Sequence, residues 1–108
     1  MIPYTSPEDF RAVIASAETP VLVQFSADWC GPCRAIAPMM NQLAAAYTGR
    51  VQILKIDLDE CKDVAEENQV TSIPTLILFK SGVAVERFKQ TRTLSRLSDF
   101  LDQHAGEI

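Results

Sequence analysis

Two cysteines separated by a Gly-Pro pair, in Trp29-Cys30-Gly31-Pro32-Cys33, are the residues of this chain best suited to chemistry. Thiols at this spacing can close and reopen a disulfide, or supply half of a zinc site. The context favours the first. An apolar run, Val21-Leu22-Val23-Gln24-Phe25-Ser26-Ala27, leads into the pair, and a segment of helical period leads out from about Gly31. The thiols therefore fall at a strand-to-helix junction. A sulfur at a helix N-terminus faces unpaired backbone N–H groups and the positive end of the helix dipole, and both favour thiolate over thiol. Cys30 is the expected nucleophile. Cys33 lies in the first turn on the same helix face, where its sulfur can approach that of Cys30. A closed zinc site needs further ligands, and the remaining candidates, Cys61 and His104, form no second knuckle. No metal is expected.

The elements that must hold this pair are legible from period and punctuation. Residues 1–5 are compatible with a short edge strand. Ser6-Pro7-Glu8-Asp9 marks a helix start, with Ser6 as N-cap, Pro7 at the first helical position and acids in the first turn. Phe10, Val13, Ile14 and Ala17 continue it on one face. After Thr19-Pro20, residues 21–27 have the near-continuous hydrophobicity of a strand buried on both faces. The helix after the cysteines turns Ile36, Met40, Leu43, Ala44 and Tyr47 inward, stops near Gly49 and should kink at Pro38, which removes a backbone hydrogen bond.

Residues 51–57 are expected as a second buried strand, and Asp59 as the cap of a helix over 60–68 with Val64 and Ala65 inward. Residues 75–80 make a third central strand, Ser81-Gly82 a turn, and 83–89 its antiparallel partner. An amphipathic helix over 93–104, built on Leu94, Leu97, Phe100 and Leu101, closes the chain. Strands alternating with helices, then a hairpin and a last helix, predict an α/β fold: a central mixed β-sheet flanked by helices on both faces.

At 108 residues, 47% hydrophobic and 22% charged, the chain suits a single domain, residues 1–108, with one core. The formal net charge of −4, with no run of Lys or Arg, argues against nucleic acid or an anionic membrane as partner. The first residues carry neither a basic n-region nor an apolar h-region, and no apolar stretch is long enough to span a bilayer. Three cysteines make no structural disulfide framework. A monomeric, cytoplasmic protein is the expectation.

The sequence resembles the thioredoxin family. Trp-Cys-Gly-Pro-Cys is that family's active-site signature, and the likeness extends to the strand before it, to Ile73-Pro74-Thr75 and to Phe79-Lys80-Ser81-Gly82. It covers nearly the whole chain. The resemblance implies the thioredoxin fold and a protein-disulfide reductase that cycles between a dithiol and a Cys30–Cys33 disulfide, with Cys30 attacking and Cys33 resolving. Gly-Pro between the cysteines is associated with reducing members. The likeness also implies that Trp29 flanks the dithiol and that the Ile73–Pro74 bond is cis and lies against the sulfurs. The Ile73 backbone is then free to pair with an extended substrate strand. Gly31, without a side chain, and Pro32 fit a flat docking surface. The partners implied are disulfide-containing proteins and an NADPH- or ferredoxin-linked thioredoxin reductase, and the protein itself carries no cofactor.

Several positions depart from the family pattern. Members usually carry a buried aspartate where this chain has Gln24, and many bacterial ones a lysine at the position of Ile53; both charges are expected to be missing together here. In the family that carboxylate is assigned the proton of the resolving cysteine, here Cys33, which an amide cannot accept. Two readings follow: the loss of a costly buried pair at little or no expense in stability, and a resolution that is slower or uses water as its base. Gln90 stands where a glycine is usual, and with Lys89 and Arg92 nearby it points to altered partner choice favouring acidic surfaces. Cys61, among Asp59, Glu60 and Asp63, reads as a small buried residue whose thiolate the acids disfavour, and His104 as a surface residue of the last helical turn. These departures keep a second class of function open: a binding module or co-chaperone that captures partners with slow or no turnover.

Overall fold

The computed structural model describes residues 2–89 and 94–105. Gln90 and the helix start expected at Thr93 fall outside the described residues, as does the side chain of Leu94. The elements are α1 (Pro7–Ser16), β1 (Val21–Ser26), α2 (Gly31–Ala35), α3 (Ala37–Ala46), β2 (Gln52–Asp57), α4 (Lys62–Glu67), β3 (Thr75–Lys80), β4 (Val83–Phe88) and α5 (Leu94–Ala105). The strands form one sheet in the order β2-β1-β3-β4. β1 runs parallel to β2 and antiparallel to β3, and β3 runs antiparallel to β4. This is the mixed α/β sheet expected.

β1 is the centre because every residue in it is buried. Its side chains alternate across the sheet. Leu22 joins Met40, Leu43, Leu78, Leu97 and Leu101 under α3 and α5, while Val23 and Phe25 join Phe10, Val64, Ile77 and Phe79 under α1 and α4. Each large side chain so buried contributes about 1.5–3 kcal/mol relative to leaving it in water. Helices of 5 to 12 residues are marginal alone, so these two clusters hold them in place. Tyr47 adds a polar tie between α3 and α5: its Oη lies 2.8 Å from the Ser98 carbonyl and 2.5 Å from Asp102 Oδ1.

Local signals hold where they were strongest. Ser6 Oγ accepts from the Asp9 N–H at 3.1 Å and so caps α1, with Pro7 in the first helical turn. Ser81 and Gly82 both have positive φ, 53° and 81°, the backbone twist that a two-residue hairpin turn demands. Beyond it, Leu78 pairs with Glu86 and Phe79 with Ala84, which leaves Val85 as the extra residue of a bulge in β4.

Three expectations need correction. β2 is an edge strand in which only Ile56 is buried. An apolar run does not separate a central strand from an edge strand with one face on the core. Its outer side meets the chain start in a single parallel bridge, Tyr4 to Lys55, and the Thr5 N–H donates to the Lys55 carbonyl at 2.8 Å. Pro38 does more than kink a helix. The chain breaks at Ile36 (φ −92°, ψ −2°) into α2 and α3, because the proline has no N–H to offer the Arg34 carbonyl. The helix expected over 60–68 starts later, with Cys61 as its N-cap and no side-chain cap, while Asp57 closes the turn by accepting from the Asp59 N–H at 2.9 Å.

Candidate active site

The site is built at the end of β1. The chain turns through Asp28 and Trp29, with the Cys30 N–H donating to the Ala27 carbonyl at 3.1 Å, and α2 begins. Cys30 takes the N-cap position in extended conformation (φ −86°, ψ 107°), and Pro32 sits in the first turn, where a missing N–H leaves no bond unmade. The Cys33 N–H donates to Cys30 Sγ at 3.3 Å. A sulfur thus does the capping that serine does in α1. Cys30 and Cys33 are joined in a disulfide with Cα atoms 5.3 Å apart, and both are buried.

Ile73 reaches this pair from elsewhere in the chain and packs on Ala27, Cys30 and Cys33. The Ile73–Pro74 bond is cis, as the resemblance implied, and Pro74 is buried. Next along, Thr75 pairs with Phe25, and its hydroxyl donates to the Ser72 carbonyl at 2.6 Å. The start of β3 therefore sets where Ile73 lies.

Trp29 stands at the rim with 65% of its surface exposed. Its Nε1–H donates to Asp59 Oδ2 at 2.7 Å, a charge-assisted bond that holds the indole. Asp59 is accordingly an anchor for Trp29 and not the cap of α4. Gly31 and Pro32 are exposed, and a Cβ added at Gly31 would meet nothing within 4 Å, so this side of the dithiol is open.

Gln24 is buried on the Leu22 face of β1 and lines a cavity of about 30 Å³ with Ala37, Met40, Asn41 and Lys55. The register corrects the reading at Ile53. Ile53 pairs with Leu22, whereas the residue beside Gln24 on β2 is Lys55. The cation is present, and only the carboxylate is replaced.

Cys61 is buried away from the disulfide in the cluster under α1 and α4. Burial first, then the charges of Asp57 and Glu60, push its thiol up from the usual range. His104 is not simply a surface residue: its ring is half-buried against Phe100, with centroids 4.7 Å apart. Among the described residues no group of three or more His, Cys, Asp or Glu is arranged to hold a metal ion, and no helix is long and apolar enough to cross a membrane.

The family model for thioredoxin matches residues 1–103. The chain belongs to the thioredoxin family. It is 43% identical over 100 residues to thioredoxin C-2 of Corynebacterium nephridii, a match covering 93% of each chain. It is 47% identical over 83 residues to a thioredoxin of Staphylococcus aureus, covering 77% of this chain and 80% of the relative. Thioredoxin 1 of a Nostoc species is 38% identical over 95 residues, covering 88% and 89%. With the Cys30–Cys33 pair in place, this thioredoxin-family protein is a thiol-disulfide oxidoreductase, a protein-disulfide reductase. Family membership implies disulfide-containing protein substrates and a thioredoxin reductase as partners.

Sequence reasoning missed Asp59 as the partner of Trp29, and it missed Tyr4, Asp28 and Lys55 around Cys33. Only Lys55 left a signal, through its register with Gln24. The others meet across 24 or 30 residues of chain, where neither period nor spacing speaks.

Proposed function

We propose that Cys30 is the attacking sulfur and Cys33 the resolving one. The observation that carries this reading is the Cys33 N–H aimed at Cys30 Sγ. In the reduced protein the same donor, at the first turn of α2, favours the Cys30 thiolate over the thiol. That thiolate attacks a substrate disulfide, forming a mixed disulfide and releasing one substrate sulfur as thiolate. Cys33 then attacks Cys30 Sγ, the bond to substrate breaks, and the second substrate sulfur leaves as thiolate. The substrate is reduced by two electrons, and Cys30–Cys33 is the oxidised product.

The substrate lies across Trp29, Gly31 and Pro32 with its strand along the Ile73-Pro74 backbone, a reading supported by the open face at Gly31 and by the packing of Ile73 against the cluster that contains both cysteines. Gln24 modulates the resolving step, and Gln90 tunes partner choice. The protein works as a single cytoplasmic domain, monomeric, and is returned to the dithiol by an NADPH- or ferredoxin-linked thioredoxin reductase.

The test is insulin disulfide reduction under limiting dithiothreitol, with the unmutated protein and Cys33→Ser. Turnover that the substitution abolishes supports the assignment. Absent turnover in the unmutated protein, with a Cys30-linked mixed disulfide accumulating, would favour partner capture instead.

A further inference from the structure

Behind the disulfide lies a cavity of about 410 Å³ whose wall includes Cys33 but not Cys30. Its titratable groups come from four parts of the chain: Tyr4 from the start, Asp28 from the turn after β1, Cys33 and Arg34 from α2, and Lys55 from β2. They are tied together. Tyr4 Oη donates to Asp28 Oδ1 at 2.9 Å, and Lys55 Nζ lies 4.6 Å from the centre of the Tyr4 ring. Asp57 adds its negative field at Tyr4.

If Cys33 resolves the mixed disulfide, as proposed above, its proton must leave, and the Gln24 amide cannot take it. The other groups on the wall can be sorted by chemistry. Guanidinium and ammonium already hold their protons. Burial, and then the hydrogen bond to Asp28, push the Tyr4 phenol up to about 12, so it too stays protonated near neutral pH. A carboxylate remains.

We infer that Asp28 accepts the Cys33 proton through water in this cavity, supplying from the turn after β1 the base that position 24 lacks. The space is ample, since one water needs only about 10–15 Å³ by the same measure. Cys33 Sγ–H gives its proton to water, and water passes one to Asp28. The sulfur's freed pair forms the bond to Cys30 Sγ, and the Cys30–substrate bond breaks with its electron pair leaving on the substrate thiolate. Asp28, exposed on its other side, returns the proton to solvent. Tyr4 is a positioning residue that orients the carboxylate.

The experiment is stopped-flow mixing of the reduced protein with excess of a symmetric aromatic disulfide whose thiolate is coloured. The first thiolate reports attack by Cys30, and the second, independent of reagent concentration, reports resolution. Asp28→Asn is expected to leave the first phase alone and slow the second about tenfold at pH 7. The two proteins should converge at high pH, where hydroxide takes the thiol proton without help from a carboxylate. Asp28→Glu should restore most of the rate. In a Gln24→Asp background, which brings its own base, Asp28→Asn should change the second phase less than twofold. An unchanged pH–rate profile in Asp28→Asn, or the same slowing in both backgrounds, overturns the inference. Cys33→Ser keeps the two ideas apart. A second phase that survives it overturns the assignment of Cys33 and this inference with it, whereas its loss beside an unaffected Asp28→Asn overturns this inference alone.

Discussion

Replacing Gln24 by aspartate tests how this buried position on β1 is solvated. The side chain is 2% exposed and faces a cavity of about 30 Å³, room for one or two waters. Two effects follow. Removing one methylene there loses about 0.8 kcal/mol of burial at any pH. The new carboxylate is also desolvated, which raises its folded pKa above the unfolded value of about 3.9, while Lys55 beside it limits the rise. Taking a net rise of about 2 units, the charged form is disfavoured by about 2.7 kcal/mol. The sign follows from linkage. With the folded pKa raised, the penalty is absent below about pH 4, where the group is protonated in both states, and it grows until pH passes the folded value near 6. Urea unfolding of both reduced proteins from pH 4 to pH 8 should therefore show a stability gap of about 1 kcal/mol at the acid end and about 3.5 kcal/mol at the other. Groups common to both proteins cancel in the difference. A gap that does not change with pH, or a variant as stable as its parent at pH 8, refutes the reasoning.

Two further outcomes are expected. In the native reduced protein, iodoacetamide at pH 7.5 should modify Cys30 and leave Cys61 untouched until denaturant is added, because burial and nearby acids hold the Cys61 thiol up; peptide mass analysis reads this, and native labelling of Cys61 at a rate near that of free cysteine would contradict it. Tyr47→Phe removes the hydroxyl that joins α3 to Ser98 and Asp102 of α5, and should lower stability by about 1–2 kcal/mol in thermal unfolding, with no change in the rate of Cys30 attack. An unchanged Tm would mean that packing alone holds α5.

What the sequence carried was mostly local. The Ser6 cap, the thiol pair at a helix start and the Ser81-Gly82 turn each depend on residues within a few positions of one another, where capping and backbone preference act directly. The family signature then supplied the cis bond at Pro74, which no local preference predicts. Contacts made across the chain were hidden. Trp29 with Asp59 and Tyr4 with Asp28 are single polar bonds between distant segments, and a lone aspartate in a turn looks the same whether it caps a helix, anchors an indole or faces solvent.

The lysine beside Gln24 shows why a correct strand can still yield a wrong site. Ile53 and Lys55 lie two positions apart on β2, so both face the same side of the sheet, and the alternating pattern is satisfied by either. A shift of two residues leaves every face assignment intact while moving the neighbour by about 7 Å along the strand. Ile53 consequently packs against the cluster around Leu22, and Lys55 takes the place at Gln24 and lines both the cavity that Gln24 faces and the one that Cys33 faces. With an ammonium there and an amide opposite, the position keeps a cation but has no carboxylate of its own to receive a proton. The charge and the proton acceptor are separate requirements; on the inference drawn above, Lys55 meets the first and Asp28 the second.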